Sequence, residues 1–414
     1  VHIADVSHYV KKDTVLDLEA RHRGNSVYLV DRVLPMFPKE ISNGICSLNE
    51  KEEKLTFSCE MEIDLKGDVV NYEVYKSVIK SVHRMTYKAV NGILDGDKNL
   101  INEYSDIYEM LKQMLELSKI LRAKKHIRGS IDFELPELKV VLDKDEKVEK
   151  VYLKDRGEGE KIIEDFMIAA NETVAERIFW LELASIYRTH EKPDREKIVR
   201  LNEILAKFGY KIPNFDNIHP KQFQEIIERS KDKETSMLVH KTILRALKQA
   251  RYTVEDIGHF GLSSSHYTHF TSPIRRYADL MVHRVLFSSI DNSVKQLKLA
   301  DLDEIAQHIS KTERVAMKAE DESVRIKLVE YMQKRVGETF NIMVTGFAPR
   351  KIFFETDEHI ECSWDVTTSP NYYVFDEENY CMVDRESDTV FNLGDKIEAV
   401  LEKADLLTLE ISVK

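Results

Sequence analysis

Hydrophobic and polar residues alternate along much of the opening part of the chain, and a period of two residues is typical of β-strands. Residues 1–6 predict a short first strand. Residues 55–63 alternate cleanly and are followed by a Lys-Gly-Asp turn at 66–68, so we expect a β-hairpin whose second strand covers residues 69–78. The chain is therefore expected to begin with β-structure.

The middle of the chain shows a different pattern, in which hydrophobic residues recur every three or four positions as in amphipathic helices. Short alternating runs interrupt this pattern at only two places. The predicted elements are helices over residues 87–121, 160–187, 273–289 and 302–334, further helical segments up to residue 251, and strands over 131–135 and 139–142.

Strand-like alternation returns after residue 336. Five short strands in succession suit an OB-type barrel, a fold that commonly binds oligonucleotides. We therefore predict an α+β protein with two domains, a mixed domain over residues 1–335 and a β-barrel over residues 336–414. The predicted barrel strands are 340–346, 351–356, 388–391, 396–401 and 406–413.

The composition is that of a chain with a large core, since 43% of the residues are hydrophobic. The four cysteines form no Cys-x-x-Cys pair, which favours reduced thiols over a disulfide framework or a zinc site. No apolar run approaches the ~18 residues that a membrane helix needs. We interpret the chain as a cytoplasmic protein without membrane association.

The formal net charge of −12 argues against an extended basic surface for nucleic acid. This argument against a nucleic-acid partner weakens if the basic groups are local and line a channel.

The most informative segment is 259–283, a Gly- and Ser-rich loop that leads into a predicted helix begun by Pro273. The N-terminus of such a helix offers free N–H groups and a partial positive charge, which suit a phosphate. Arg275 and Arg276 fall in its first turn, where cations oppose the helix dipole, so their placement suggests a function. The alternative is a surface helix with a solvated arginine pair.

The same segment resembles the signature of the ribonuclease II / ribonuclease R family. Residues 259–262 read His-Phe-Gly-Leu and residues 270–277 read Phe-Thr-Ser-Pro-Ile-Arg-Arg-Tyr, with Asp279 and His283 following. Further segments resemble other blocks of this family in the same order, and the tail resembles the RNA-binding barrel of the ribonuclease R branch, which is of the ribosomal protein S-one type. These segments are residues 1–10, 23–29, 163–171, 187–193, 372–376 and 393–396.

The resemblance implies an RNB-type mixed catalytic domain followed by an OB-fold barrel. It implies an exoribonuclease that degrades single-stranded RNA processively from its 3′ end to nucleoside 5′-monophosphates. Separately, we expect the protein to be a monomer. Two divalent ions, usually magnesium, would polarise the scissile phosphate and generate the attacking hydroxide. RNA would pass the barrel and enter a deep channel.

The resemblance also assigns roles to individual residues. Arg275 matches the catalytic arginine, and the alternative is a structural ion pair with Asp279. Tyr28 and Phe133 match the two aromatic residues that clamp the terminal bases, and the alternative for each is core packing. Glu320 matches an acidic position near the RNA 3′ end, and the alternative is a solvated acidic helix face.

Three further residues are candidates for RNA binding. Arg276 and Tyr277 belong to the same motif as the catalytic arginine. In the barrel, Pro349-Arg350-Lys351 stands where the family often has an aromatic–glycine turn, so Lys351 is a candidate for holding phosphate. Asp321 occupies a position where the family usually has arginine, which weakens the assignment of its neighbour Glu320.

The family's metal ligands are an aspartate cluster that should lie shortly before Val1. Asp5, Asp17 and Asp31 are too dispersed to replace it. We therefore expect no metal ligands in this segment, and expect the segment alone to bind RNA but to hydrolyse it poorly or not at all.

Two other functions remain as alternatives. One is a non-catalytic RNA-binding member of the same family that lacks the metal ligands. The other is a metallohydrolase that uses histidines 259, 266, 269 and 283, which is disfavoured because no His-Glu-x-x-His motif or cysteine partner accompanies them.

Overall fold

A computed structural model describes residues 1–133, 135–215, 217–291 and 296–414. It has the predicted mixture of helices and sheets. The helices are α1 (Val6–Tyr9), α2 (Val15–Arg23), α3 (Tyr87–Leu94), α4 (Lys98–Glu103), α5 (Tyr108–Arg128), α6 (Glu158–Trp180), α7 (Arg195–Lys207), α8 (Pro220–Ser230), α9 (Ser236–Ala246), α10 (Tyr277–Ile290) and α11 (Leu299–Gln333).

The strands fall into small sheets in the first part of the chain and a barrel at its end. They are β1 (His2–Ala4), β2 (Val27–Tyr28), β3 (Val33–Leu34), β4 (Glu53–Ile63), β5 (Val69–Lys80), β6 (Glu137–Leu142), β7 (Val148–Lys154), β8 (Tyr187–Thr189), β9 (Arg251–Thr253), β10 (Thr339–Ala348), β11 (Lys351–Thr356), β12 (Glu361–Asp365), β13 (Tyr373–Asp376), β14 (Cys381–Asp384), β15 (Val390–Phe391), β16 (Lys396–Asp405) and β17 (Glu410–Val413).

The predicted hairpin is confirmed as β4 and β5, which pair antiparallel with Leu55 opposite Val78. With β1 they form a three-stranded sheet in the order β1–β4–β5. Phe57 and Cys59 on its buried face pack into one hydrophobic cluster with Val174 of α6 and Val282 of α10. The alternation in the sequence therefore marks the face that helices cover.

Two predicted elements in the middle of the chain differ from the structure. The helix predicted to reach residue 187 ends at Trp180, and residues 187–189 form β8 against β9. The chain turns at Glu182, whose φ of 51° lies in the left-handed region and cannot continue a helix. The strand predicted at 131–135 is also wrong, because residues 131–133 have no strand conformation; position 134 lies outside the described residues.

The last part of the chain forms a closed barrel in the order β10–β11–β12–β17–β16, as an OB-type fold requires. One predicted barrel strand, 388–391, is instead part of a separate three-stranded sheet, β13–β14–β15. Its place is taken by β12, Glu361–Asp365, which the sequence did not predict because only Cys362 and Trp364 break its polar run.

Helix α11 joins the two parts of the molecule. Near its C-terminus, Leu328, Val329 and Met332 are buried in the same cluster as the barrel residues Val344 and Leu401. The division at residue 335 therefore falls just after a helix that contributes to the barrel core, and it stays a prediction. In the described part of the chain, no helix combines the length and hydrophobicity needed to cross a membrane.

Candidate functional site

The segment between Ser272 and Tyr277 is a turn, so the prediction that Pro273 begins a helix is wrong. The amides of Arg275 and Arg276 both donate to the Ser272 carbonyl, at 3.2 and 3.0 Å, and α10 begins only at Tyr277. Tertiary bonds hold the backbone out of the helical conformation, because the segment pairs with residues 24–26 and Arg276 is extended (φ −136°, ψ 123°). Arg275 therefore sits on a turn that is fastened to a distant part of the chain.

A buried carboxylate holds this turn in place. Asp279 is fully buried and accepts hydrogen bonds from the Ser272 amide at 2.7 Å and from Nε and Nη2 of Arg276 at 2.8 Å each. Burial alone would lower the pKa of Arg276, but the adjacent charge of Asp279 outweighs it and raises the pKa. The alternative in which Asp279 pairs with Arg275 is thus wrong, since Arg276 occupies that carboxylate.

Arg275 is exposed, and no ion pair restrains it within the described part of the chain. It lines a pocket of ≈ 230 Å³ together with Arg276, Tyr28 and Glu320. The structure therefore brings together four residues that were singled out in the sequence, from three separate regions of the chain. Because the guanidinium is not committed to a carboxylate, it can donate two parallel hydrogen bonds to an anion in the pocket.

The ring of Tyr28 is available to a ligand, since the residue is 44% exposed. Its backbone amide donates to Oε1 of Glu320 at 2.7 Å, and the amide of Val30 donates to the Ser323 hydroxyl one turn further along α11. These bonds dock strand β2 onto the helix. Glu320 is thus not a simple solvated carboxylate, because it fixes the strand that presents the aromatic ring.

Two residues that the sequence did not single out, Tyr252 and Glu313, also line the pocket, and Arg188 contacts both of them. Arg188 pairs with Glu313 at 2.6 Å, and its guanidinium carbon lies 4.6 Å from the ring centroid of Tyr252. The Tyr252 hydroxyl lies 2.9 Å from Nδ1 of His269, and burial raises the pKa of this phenol. These residues come from β8, β9 and α11, and no local pattern in the sequence links them.

The pocket adjoins a larger cleft of ≈ 900 Å³, because Tyr28 and Glu320 line both spaces. The cleft lies between β6, α11 and the barrel. Both signs of charge line its walls, with Lys139 of β6, Lys241 of α9 and Arg325 of α11 among carboxylates that include Glu320, Asp321 and Glu322. The small pocket and the open cleft together suit an elongated ligand whose end reaches Arg275.

The remaining predicted residues lie elsewhere. Tyr277 is only 1% exposed and its hydroxyl donates to Asp17, so the prediction that it contacts RNA is wrong for the side chain as placed. Phe133 is partly buried against the cluster that contains Phe223 and does not line the pocket. Lys351 pairs with Glu410 at 2.5 Å on the barrel. RNA contacts by Phe133 and Lys351 stay predictions.

Within the described ranges, no group of three or more His, Cys, Asp or Glu side chains is arranged to hold a metal ion. The pocket carboxylates are engaged, Glu313 by Arg188 and Glu320 by the Tyr28 amide. The residues present therefore do not form the magnesium site that the resemblance implies.

Burial lowers the pKa of His259 to about 3, so this histidine is neutral.

The chain is similar to proteins of one known family. The family model described as RNB domain matches residues 1–292. Ribonuclease R of Thermotoga maritima is 44% identical over 419 residues, which cover 99% of this chain and 59% of that protein. The chain thus spans about three fifths of the length of this curated relative.

Solved structures agree with this match. Mycoplasma genitalium RNase R in complex with ribose methylated single-stranded RNA superposes with a TM-score of 0.92 at 31% identity, covering all of this chain and 66% of that one. Yeast Ssd1, a pseudonuclease, has a TM-score of 0.75 at 19% identity, over 92% of this chain and 47% of its own, which shows a shared fold alone.

Proposed function

We propose that the protein is a hydrolytic exoribonuclease, because this chain belongs to the RNB-domain family of ribonuclease R. It removes nucleotides processively from the 3′ end of single-stranded RNA and releases nucleoside 5′-monophosphates. The observation that carries the proposal is the pocket in which an exposed arginine, Arg275, lies with an exposed aromatic ring, Tyr28, at the end of a long cleft.

Arg275 would bind the phosphate that is cleaved. A guanidinium that is already aimed at the position where negative charge develops stabilises the transition state without reorganising. The Arg276–Asp279 pair makes this possible, since it fixes the turn and leaves the neighbouring arginine free. Arg276 is therefore a positioning residue, and its contact with RNA stays a prediction.

Tyr28 would stack on a base near the 3′ end. Stacking contributes about 1–3 kcal/mol per base and does not depend on sequence, because every base has a π face. Glu313 and Glu320 also line the pocket, and their carboxylates are acceptors for ribose hydroxyls. RNA would thus be preferred over DNA through the sugar and not through the base.

Magnesium is the expected cofactor, and when bound it would supply the metal-bound hydroxide. The described residues do not form its site, so their contribution is to grip the terminal nucleotides and the phosphate. We also propose that the protein is a monomer. We further propose that it works in the cytoplasm, because its four cysteines are free and persistent thiols are typical of a reducing compartment.

The experiment uses the full-length protein, magnesium and a 5′-labelled single-stranded RNA. Wild-type protein should shorten the RNA from the 3′ end, and Arg275→Ala should reduce kcat by about 10²–10³ with a much smaller effect on RNA affinity. Arg84→Ala, another exposed arginine, is the matched control. A loss of affinity without a change in the chemical step would contradict the role of Arg275.

A non-catalytic RNA-binding member of the family is the second candidate. It is favoured by one observation, the lack of a metal-holding cluster in the described residues. The same assay separates the two, because a non-catalytic member binds the RNA in a salt-sensitive way and leaves its length unchanged at every magnesium concentration.

A further inference from the structure

A second cleft lies on the seam between the helical part of the molecule and the barrel. It has a volume of ≈ 220 Å³ and is formed by α7, α9, β10, the loop before β14 and the loop after β15. None of its lining residues lines the Arg275 pocket or the large cleft that adjoins it. It is therefore a separate space, which the proposed nuclease activity does not use.

Three cations converge on this seam cleft. Lys197 and Arg200 are one turn apart on α7, both are exposed, and no ion pair engages either of them in the part of the chain that the structure describes. Arg245 of α9 reaches Glu361 only at 3.9 Å, and both side chains are more than half exposed. An exposed pair at that distance holds the cation weakly. The cleft thus concentrates positive charge on a chain whose net charge is −12.

An aromatic ring stands beside these cations. Tyr380 lines the cleft, and the guanidinium carbon of Arg200 lies 5.7 Å from its ring centroid. The ring packs edge-to-face against the rings of Phe347 and Phe375, with 5.7 Å between the ring centroids in each pair. Its backbone has a φ of 44°, which is rare for a bulky side chain. The loop therefore fixes the ring in place at the edge of the cleft.

The floor of the cleft is apolar. Leu201 and Ile204 of α7, Ala246 of α9 and Leu393 of the barrel form it. A volume of ≈ 220 Å³ is below the range of about 300–1,000 Å³ that is usual for drug-sized ligands, so the space accepts one flat ring system and not several. An apolar floor, an aromatic edge and a cationic rim together match a base that carries a phosphate.

We infer that the seam cleft is a second nucleotide site, which binds one nucleoside monophosphate unit with its base on the apolar floor beside Tyr380 and its phosphate at Lys197 and Arg200. The unit is either a free nucleotide or one residue of an RNA strand that runs outside the main cleft, since both present the same chemistry. The inference goes beyond the proposed nuclease activity, because binding here needs no hydrolysis at Arg275.

The test measures binding of adenosine monophosphate labelled on its ribose with an anthraniloyl fluorophore. The protein is the 414-residue chain with Tyr28→Ala and Arg275→Ala, so that the main pocket contributes little. We expect this protein to bind the probe, and the added changes Lys197→Glu and Arg200→Glu to raise the Kd by about tenfold or more, since two charge-assisted contacts are lost. Inorganic phosphate should compete only weakly because it lacks the base.

The matched control is Lys88→Glu with Lys119→Glu, two exposed helical lysines remote from the seam cleft. It replaces two cations by two carboxylates as well, so general repulsion is equal in both variants. An 8-azidoadenosine monophosphate photolabel should mark the segment around Tyr380. Equal Kd values for the two variants, or a label that maps away from this segment, overturn the inference whatever the nuclease assay shows.

A 3′-blocked single-stranded RNA decamer distinguishes the two sources of the nucleotide. If an RNA strand is the ligand, the decamer binds more tightly than the monophosphate, and the variant with Lys197→Glu and Arg200→Glu (the seam variant) lowers its salt slope by about 0.7, the value for one lost phosphate contact on a single strand. If a free nucleotide is the ligand, the monophosphate binds at least as tightly as the decamer. Either result supports the site. If the seam variant changes the affinity of neither the monophosphate nor the decamer, the inference is refuted.

Discussion

Replacing Asp279 by asparagine should destabilise the protein and impair Arg275 at the same time. The substitution keeps the size of the side chain but removes the negative charge that Arg276 faces. The pair is shielded from water, because the Asp279 side chain is fully buried and the Arg276 side chain is only 21% exposed. Breaking a buried pair on one side costs about 3–5 kcal/mol, because it leaves the other charge uncompensated. The amide oxygen can still accept from the Ser272 N–H, a bond that contributes about 1 kcal/mol.

The expected loss in the free energy of unfolding is therefore about 2–4 kcal/mol for Asp279→Asn. Urea denaturation followed by circular dichroism measures it, and the same sample gives kcat on single-stranded RNA. Because the turn that carries Arg275 loses its anchor, kcat should fall more than RNA affinity does. The double change Arg276→Met with Asp279→Leu should cost less stability than the single change, since it leaves no buried charge.

Glu304→Gln is the matched control, because Glu304 forms a surface pair with Arg21 and is 77% exposed. Its loss should stay within about 1 kcal/mol. If Asp279→Asn is no more costly than this control and kcat is unchanged, then Asp279 does not hold the turn, and the reasoning about Arg275 is refuted.

Three other predictions test the remaining parts of the site. Tyr28→Ala should weaken binding of the RNA 3′ end by about 1–3 kcal/mol in a fluorescence titration, whereas Tyr28→Phe should bind like wild type; equal effects would exclude stacking. Tyr277→Phe should lose about 0.5–1.5 kcal/mol of stability in urea and leave RNA affinity unchanged, because its hydroxyl bonds only inside the core; a clear fall in affinity would restore it as an RNA ligand. Burial would raise the pKa of Glu355, but its hydrogen bonds with Lys241 and His359 lower it below the ordinary 4.5. Its contribution to stability is thus present above pH 4.5 and lost as the pH falls through the lower folded value, and Glu355→Gln should flatten this part of the stability profile.

The sequence predicted the elements that have a clear period. The β4–β5 hairpin and α11 follow directly from alternation and from helical spacing, and the barrel follows from the density of short strands. The turn around Arg275 could not be predicted in this way, because its hydrogen bonds go to residues 24–26, far away in the chain. Strand β12 was missed because its register comes from neighbouring strands and not from its own weak pattern.

The same distinction holds for the candidate site. Arg275, Tyr28 and Glu320 were found through motif resemblance, and the structure places them in one pocket. The pair Arg188 and Glu313 was not found, because the two residues are 125 positions apart and the segment 187–193 that contains Arg188 gives no sign of its partner. Side chains that act through tertiary pairing leave no local signal in a single sequence.

The way in which α11 ends in the barrel affects any attempt to study the barrel by deletion. A protein cut after residue 335 would keep Leu328, Val329 and Met332 but lose the surface that shields them from water. Such a truncated protein is expected to aggregate, or its α11 is expected to unwind from the C-terminal end toward the turns that carry Glu313 and Glu320. A drop in activity after this cut would then reflect a damaged helix, whereas point changes on the outer barrel surface would isolate what the barrel does for RNA.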